Sequence, residues 1–97
     1  MTTDMTEMER RCVDLMGVLM TNRPELVKQL SPATIEVCRL RAAGLDEKHI
    51  AELLGKSYHT VHDHVKAVYR RLGVRNNMEL TLLFVMPRTT TGDTANA

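Results

Sequence analysis

The fold is decided by the stretch DEKHIAELLGKSYHTVHDHVKAVYRRL, residues 46–72. Asp46 is a typical helix N-cap, and the apolar residues after it recur at helical spacing until Gly55. Ser57 is a second N-cap, and four apolar residues follow it at steps of four, three and four: Val61, Val65, Val68 and Leu72. This spacing places the four side chains on one helix face. The stretch therefore predicts a short helix, a turn containing Gly55, and a longer helix over residues 58–72.

Helical signals continue on both sides of this stretch. Apolar periodicity and start and stop signals predict four further helices, over residues 5–20, 24–30, 31–43 and 76–87. Asn76 with Glu79 three positions later is the sequence pattern of a capping box for the last helix. Since neither a repeat nor a strand pattern occurs in the sequence, the chain is predicted to be all-α.

Composition bounds the class of protein. A chain of 97 residues has room for one small domain, and with three aromatic residues its core must be aliphatic and rich in methionine. Cys12 and Cys38 both fall in apolar helical patterns, so we expect them to be reduced and packed, in a cytoplasmic protein. We expect no signal peptide and no membrane span, because the most apolar run is interrupted by Asp14.

Charge is distributed unevenly along the chain. The whole chain carries +1, but residues 55–75 hold five basic residues against Asp63 alone, a local net charge of +4. The valine stripe turns a polar face of the long helix outward: His59, His62, Asp63, Lys66 and Arg70. A basic outward helix after a short bracing helix is the helix-turn-helix arrangement, which binds duplex DNA.

The same residues resemble a known family. The pattern Ser57-x-x-Thr60-Val61-x-x-His64, followed by Leu72-Gly73-Val74-Arg75, is similar to the LuxR-type (GerE-like) helix-turn-helix domain. The resemblance implies a four-helix domain over residues 30–88 whose third helix enters the DNA major groove. The residues before this domain, 1–29, are then an N-terminal helical extension. The residues after it, 89–97, have nothing to bury, so we expect a disordered tail.

The resemblance also implies roles for individual residues. Base contacts are expected from His62, Asp63 and Lys66. Phosphate contacts are expected around the turn and along the helix, from Lys56, Ser57, Tyr58, His59, Thr60 and Arg70. The family's fourth helix often pairs two subunits, which here implies Leu80, Leu83 and Phe84. The expected function is a sequence-specific, homodimeric transcription regulator.

The chain departs from the family pattern at three places, two of which concern helix caps. The family usually has Arg-Glu where this chain has Ala33-Thr34, Glu in place of His49, and Arg in place of Asn77. Loss of the two glutamates should weaken the capping boxes at Ser31 and Asp46 and leave the caps themselves in place.

The first predicted helix offers a possible dimer seam. Five apolar residues recur along it at steps of three and four: Met5, Met8, Cys12, Leu15 and Leu19. This spacing fits packing on a second subunit, which we favour, and also packing on the chain's own core.

Other functions have weaker support in the sequence. Catalysis, a cofactor and a metal site are not expected, because no nucleophilic constellation, glycine-rich phosphate loop or complete ligand set is evident. His64, at the margin of the valine stripe, is expected to be packed or bonded to backbone. The rival interpretation is a helix-turn-helix protein that binds another regulator or an RNA polymerase subunit through its methionine-rich first helix.

Overall fold

The computed structural model describes residues 5–86, which form six helices and no strand. The helices are α1 (Glu7–Thr21), α2 (Pro24–Val27), α3 (Pro32–Ala42), α4 (Glu47–Leu54), α5 (Tyr58–Leu72) and α6 (Asn77–Val85). The all-α prediction is confirmed, and the bounds of α5 are those expected from the sequence. The predicted tail, 89–97, lies outside the described residues.

The predicted helix caps are present where the sequence placed them. Ser31, Asp46 and Ser57 each accept a hydrogen bond from the backbone N–H three residues later, at 3.3, 2.8 and 3.1 Å. Gly55 and Gly73 end α4 and α5 in the left-handed conformation, with φ of 67° and 74°. Residues with a side chain rarely adopt this conformation, so the two glycines set both helix ends.

The predicted capping box of α6 is only half formed. Asn76 accepts a hydrogen bond from the Glu79 N–H, but the Glu79 carboxylate accepts one from the Arg75 N–H at 2.9 Å. That bond, together with the Arg75 guanidinium 3.2 Å away, lowers the pKa of Glu79. A complete box, which sequence reasoning missed, begins α1, where Thr6 and Glu9 exchange both bonds.

The core is built around α3, which contacts α1, α4, α5 and α6. Its fully buried residues Val37 and Cys38 lie in two adjoining apolar clusters. One cluster joins α3 to α4 and α5 through Ile50, Val61 and Val65. The other joins α3 to α5 and α6. Burial raises the pKa of the Cys38 thiol to about 12, so this cysteine is packed as expected, while Cys12 is partly exposed.

The first helix buries a different face from the predicted seam. Val13, Met16 and Met20 are buried in the two clusters, whereas Met8 is 66% exposed and Leu15 is 58% exposed. At 100° per residue, the buried face lies about a quarter turn from the centre of the predicted stripe. Part of α1 therefore packs on the chain's own domain. The remaining seam residues, Met5, Cys12 and Leu19, are partly buried along the border between the two faces.

The predicted dimer residues of α6 also need correction. Leu80 and Phe84 are buried against α3 and α1 in the core, so in this fold they have no surface to offer a second subunit; Leu83 is partly buried. The opposite side of α6 carries Met78, Leu82 and Val85, which are 67%, 45% and 50% exposed. We call these three residues the outer face of α6. Helix α6 is therefore apolar on both sides, and only the side with Leu80 and Phe84 is buried inside this chain.

Candidate nucleic-acid interface

The candidate interface is the side of α5 opposite its valine stripe. Val61 and Val65 are buried against α3 and α4, and Val68 is buried in the second cluster with residues of α1, α3 and α6. These contacts fix the rotation of α5 about its axis. The structure brings the predicted base and phosphate residues together on this helix and on the turn before it. Their separation into groove-facing and phosphate-facing sets stays a prediction.

Two cations of this surface are uncompensated. Lys66 and Arg70 are exposed, and within residues 5–86 neither makes an ion pair. Two neighbouring arginines, by contrast, have partners. Arg71 donates to the carbonyl oxygen of Gln29 at 3.1 Å, and Arg75 pairs with Glu79. Lys66 and Arg70 are therefore available to a polyanion, as is Lys56 on the turn before α5, which is also exposed and outside the ion pairs of residues 5–86.

The turn before α5 presents polar groups at the helix N-terminus. Lys56 is exposed, and its backbone N–H donates to the Ala51 carbonyl. The Ser57 hydroxyl donates to the Thr60 hydroxyl at 2.9 Å while accepting the capping bond from the Thr60 backbone. The positive end of the helix dipole adds to the charge of Lys56 here, which suits a phosphate group.

The single acid of this surface has a local partner. The Asp63 carboxylate lies 3.5 Å from Nε2 of His59, one helical turn earlier, and both side chains are largely exposed. Charge on His59 would offset the charge of Asp63 when the imidazole is protonated.

His62 is held by a residue that sequence reasoning missed. Its Nδ1 lies 2.8 Å from Oε1 of Glu47 in the first turn of α4, and the Glu47 side chain is only 17% exposed. The ring of His62 stacks on Tyr58, with centroids 5.8 Å apart and an interplanar angle of 12°. Glu47 also raises the pKa of Tyr58 by its negative charge and by accepting a hydrogen bond. Glu47 and His62 lie fifteen positions apart in the sequence, so only the fold reveals this contact.

His64 is bonded to a side chain, whereas the sequence predicted a histidine that is packed or bonded to backbone. Its Nδ1 lies 3.0 Å from the hydroxyl of Thr34, a side chain rather than backbone. Thr34 is buried and also shares a 2.8 Å hydrogen bond with the Ser31 hydroxyl. Thr34 stands where the family usually has glutamate, so the chain replaces a capping-box partner with a link from α3 to α5.

Comparison with known proteins places this geometry in a family. The GerE family model, described as bacterial regulatory proteins of the luxR family, matches residues 28–84, more than half of the chain. The chain belongs to the luxR family. This luxR-family chain is thus a DNA-binding helix-turn-helix regulator of transcription and not a member of an enzyme family. No curated protein and no solved structure matches it.

The described part of the luxR-family chain holds neither a cluster of metal ligands nor a membrane-spanning helix. Among residues 5–86, no three histidine, cysteine, aspartate or glutamate side chains cluster in a way that could hold a metal ion. In the same part of the chain, no helix combines the length and the hydropathy that crossing a membrane requires.

Proposed function

We propose that this protein is a cytoplasmic, sequence-specific regulator that binds duplex DNA as a homodimer, with α5 in the major groove. In this proposal His62, Asp63 and Lys66 approach base edges. Arg70 and the residues from Lys56 to Thr60 contact the phosphate backbone. Residues 1–29 act as a helical extension of the DNA-binding domain at residues 30–88.

The observation that carries the proposal is the uncompensated charge of α5. Among residues 5–86, Lys66 and Arg70 are exposed and make no ion pair, and they lie on a helix whose opposite face is buried, so they are held outward. A helix-turn-helix offers its second helix to the major groove, and basic side chains along that helix replace the counterions of the phosphates.

Selection of bound sequences from a random duplex pool tests the proposal directly. A homodimer should enrich a palindrome whose half-sites are centred about one helical turn apart. Binding without enrichment would contradict sequence-specific recognition, and enrichment of a single half-site would contradict the dimer.

Replacing Arg70 with alanine is expected to weaken binding to every duplex by a similar factor. Loss of one phosphate contact should also flatten the plot of log affinity against log salt concentration by about 0.9. Lys66→Ala should weaken binding too and, in addition, relax the preference at one base position. Titration of fluorescent duplexes at several salt concentrations measures both effects.

The matched control for these variants is Arg10→Ala, which removes an exposed cation from α1. Arg10 lies outside the helix-turn-helix, so its loss should leave the salt slope unchanged. Equal slopes for all three variants would place the DNA surface elsewhere.

Replacing Asp63 with asparagine is expected to strengthen binding to nonspecific duplex. Removal of one negative charge near the phosphates should contribute about 1 kcal/mol at low salt, roughly a fivefold change in affinity. If the carboxylate accepts a hydrogen bond from cytosine, preference at one base pair should relax as well. Asp14→Asn, the same change on an exposed acid of α1, is the control, and equal gains from both variants would mean that Asp63 does not approach DNA.

The outer face of α6 is the surface that we propose for the dimer. Met78, Leu82 and Val85 follow one another at steps of four and three, and all three are exposed. A second copy that pairs the same face against itself would bury all of them in a two-fold interface.

A partner protein is the second candidate for an exposed apolar surface of this chain. Met8, Leu15 and Val18 are exposed on α1, and no residue between positions 5 and 86 covers them. Another regulator or an RNA polymerase subunit could dock there. A pull-down that depends on Leu15 but not on Lys66 would favour this function over DNA binding.

A further inference from the structure

The contact between Glu47 and His62 has a chemical consequence for base recognition. An ionised carboxylate oxygen accepts hydrogen bonds and donates none, so the nitrogen 2.8 Å from Oε1 must carry the hydrogen. A neutral imidazole has one N–H donor and one acceptor nitrogen. With Nδ1 as the donor, Nε2 of the neutral His62 ring is the acceptor.

The environment of the ring holds this arrangement in place. Glu47, in the first turn of α4, has a side chain that is only 17% exposed. Stacking on Tyr58 restricts rotation of the imidazole ring. Within residues 5–86 the structure shows no hydrogen bond to Nε2, and the His62 side chain is 41% exposed.

We propose that Glu47 fixes His62 in the form protonated at Nδ1, so that Nε2 reads DNA as a hydrogen-bond acceptor. This rests on the proposed function. In the major groove, an acceptor pairs with the amino group of adenine N6 or cytosine N4, and it is opposed by guanine O6 and thymine O4. Asp63, the next residue, is also an acceptor. Two consecutive acceptors should therefore select adenine or cytosine at the positions that they face.

Glu47 is then a positioning residue for specificity, although it does not touch DNA itself. Its role differs from that of a structural residue, because its loss changes which nitrogen of His62 carries the hydrogen.

The tautomer can be measured without DNA. Long-range ¹H–¹⁵N correlation spectra of the histidine rings at pH 8.5, where free imidazole is neutral, distinguish the two forms. His62 is assigned from a His62→Gln variant. The wild-type protein should show the Nδ1-protonated pattern, and Glu47→Ala should shift His62 toward the Nε2-protonated pattern. An Nε2-protonated His62 in the wild-type protein would overturn the proposal.

Selection from a random duplex pool tests the consequence for recognition. Wild-type protein should prefer adenine or cytosine at one position by about tenfold, and Glu47→Ala should lose that preference. The control is Glu52→Ala, which removes an exposed acid from the same helix and should keep it. Circular dichroism confirms that both variants are folded.

The outcomes separate this inference from the proposed function. If wild-type protein and both variants bind no duplex at all, the proposed function is wrong, and the inference that His62 contacts a base is wrong as well. If all three bind the same sequences, duplex binding stands, and the inference about Glu47 and His62 is overturned.

Discussion

Replacing both Met16 and Met20 with alanine is expected to unfold the protein at room temperature or bring it close to unfolding. Both side chains are buried between α1, α3 and α6 in the core. Truncation of a buried methionine costs about 2–5 kcal/mol, from lost burial and the cavity left behind. The double variant should lose about 4–10 kcal/mol, against a total stability of roughly 5–15 kcal/mol for a domain. Urea unfolding followed by circular dichroism measures the loss.

The matched control is the double variant Met8→Ala and Leu15→Ala on the same helix. Both residues are more than half exposed, so the change removes similar side chains with little loss of burial. Its free energy of unfolding should stay within about 1 kcal/mol of the wild-type value. Equal destabilisation by the two double variants would show that α1 does not use the buried face described above.

Much of the fold could be predicted because local signals and packing agree. The caps at Ser31, Asp46 and Ser57 satisfy backbone N–H groups within three residues, so the sequence alone places them. The valine stripe of α5 is equally local, since helical spacing alone collects it on one face. Both features follow from short-range geometry, and both were predicted correctly.

The face of α1 could not be predicted because two apolar stripes overlap on that helix. One stripe contains Met16 and Met20, and the other contains Met8 and Leu15. Helical periodicity alone does not indicate which of the two stripes packs against α3. The position of Gly17 shows which stripe meets α3, but only once the structure is known. A Cβ at Gly17 would lie 3.2 Å from Nε of Arg39, so the glycine leaves room for Arg39, which donates to the Val13 carbonyl.

The candidate site shows the same division between local and tertiary information. The exposed positions of Lys66 and Arg70 follow from helical spacing relative to the valines. The partners of His62 and His64 do not, because Glu47 and Thr34 reach them from other helices. Neither contact leaves a periodic signal, so two histidines that looked similar in sequence have different chemical surroundings.

Replacing Leu82 with aspartate is expected to dissociate the proposed dimer and to weaken binding to a palindromic site. Leu82 lies at the centre of the outer face of α6, where a charge would have to be buried against the second copy. Loss of the second half-site removes the gain from bivalent binding, about 10²–10⁴-fold in affinity. Sedimentation gives the mass of the protein, and titration of full sites and half-sites gives the affinity.

The decisive comparison is between Leu82→Asp and Leu15→Asp, which place the same charge on the two exposed apolar surfaces. If α6 forms the dimer, only Leu82→Asp should yield a monomer, and that monomer should bind an isolated half-site as tightly as one wild-type subunit does. Dissociation by Leu15→Asp alone would assign the seam to α1, as its sequence pattern first indicated. Neither change affects a core residue, so both variants should keep the wild-type helix content. A folded wild-type protein that sediments as a monomer on DNA would contradict the dimer itself.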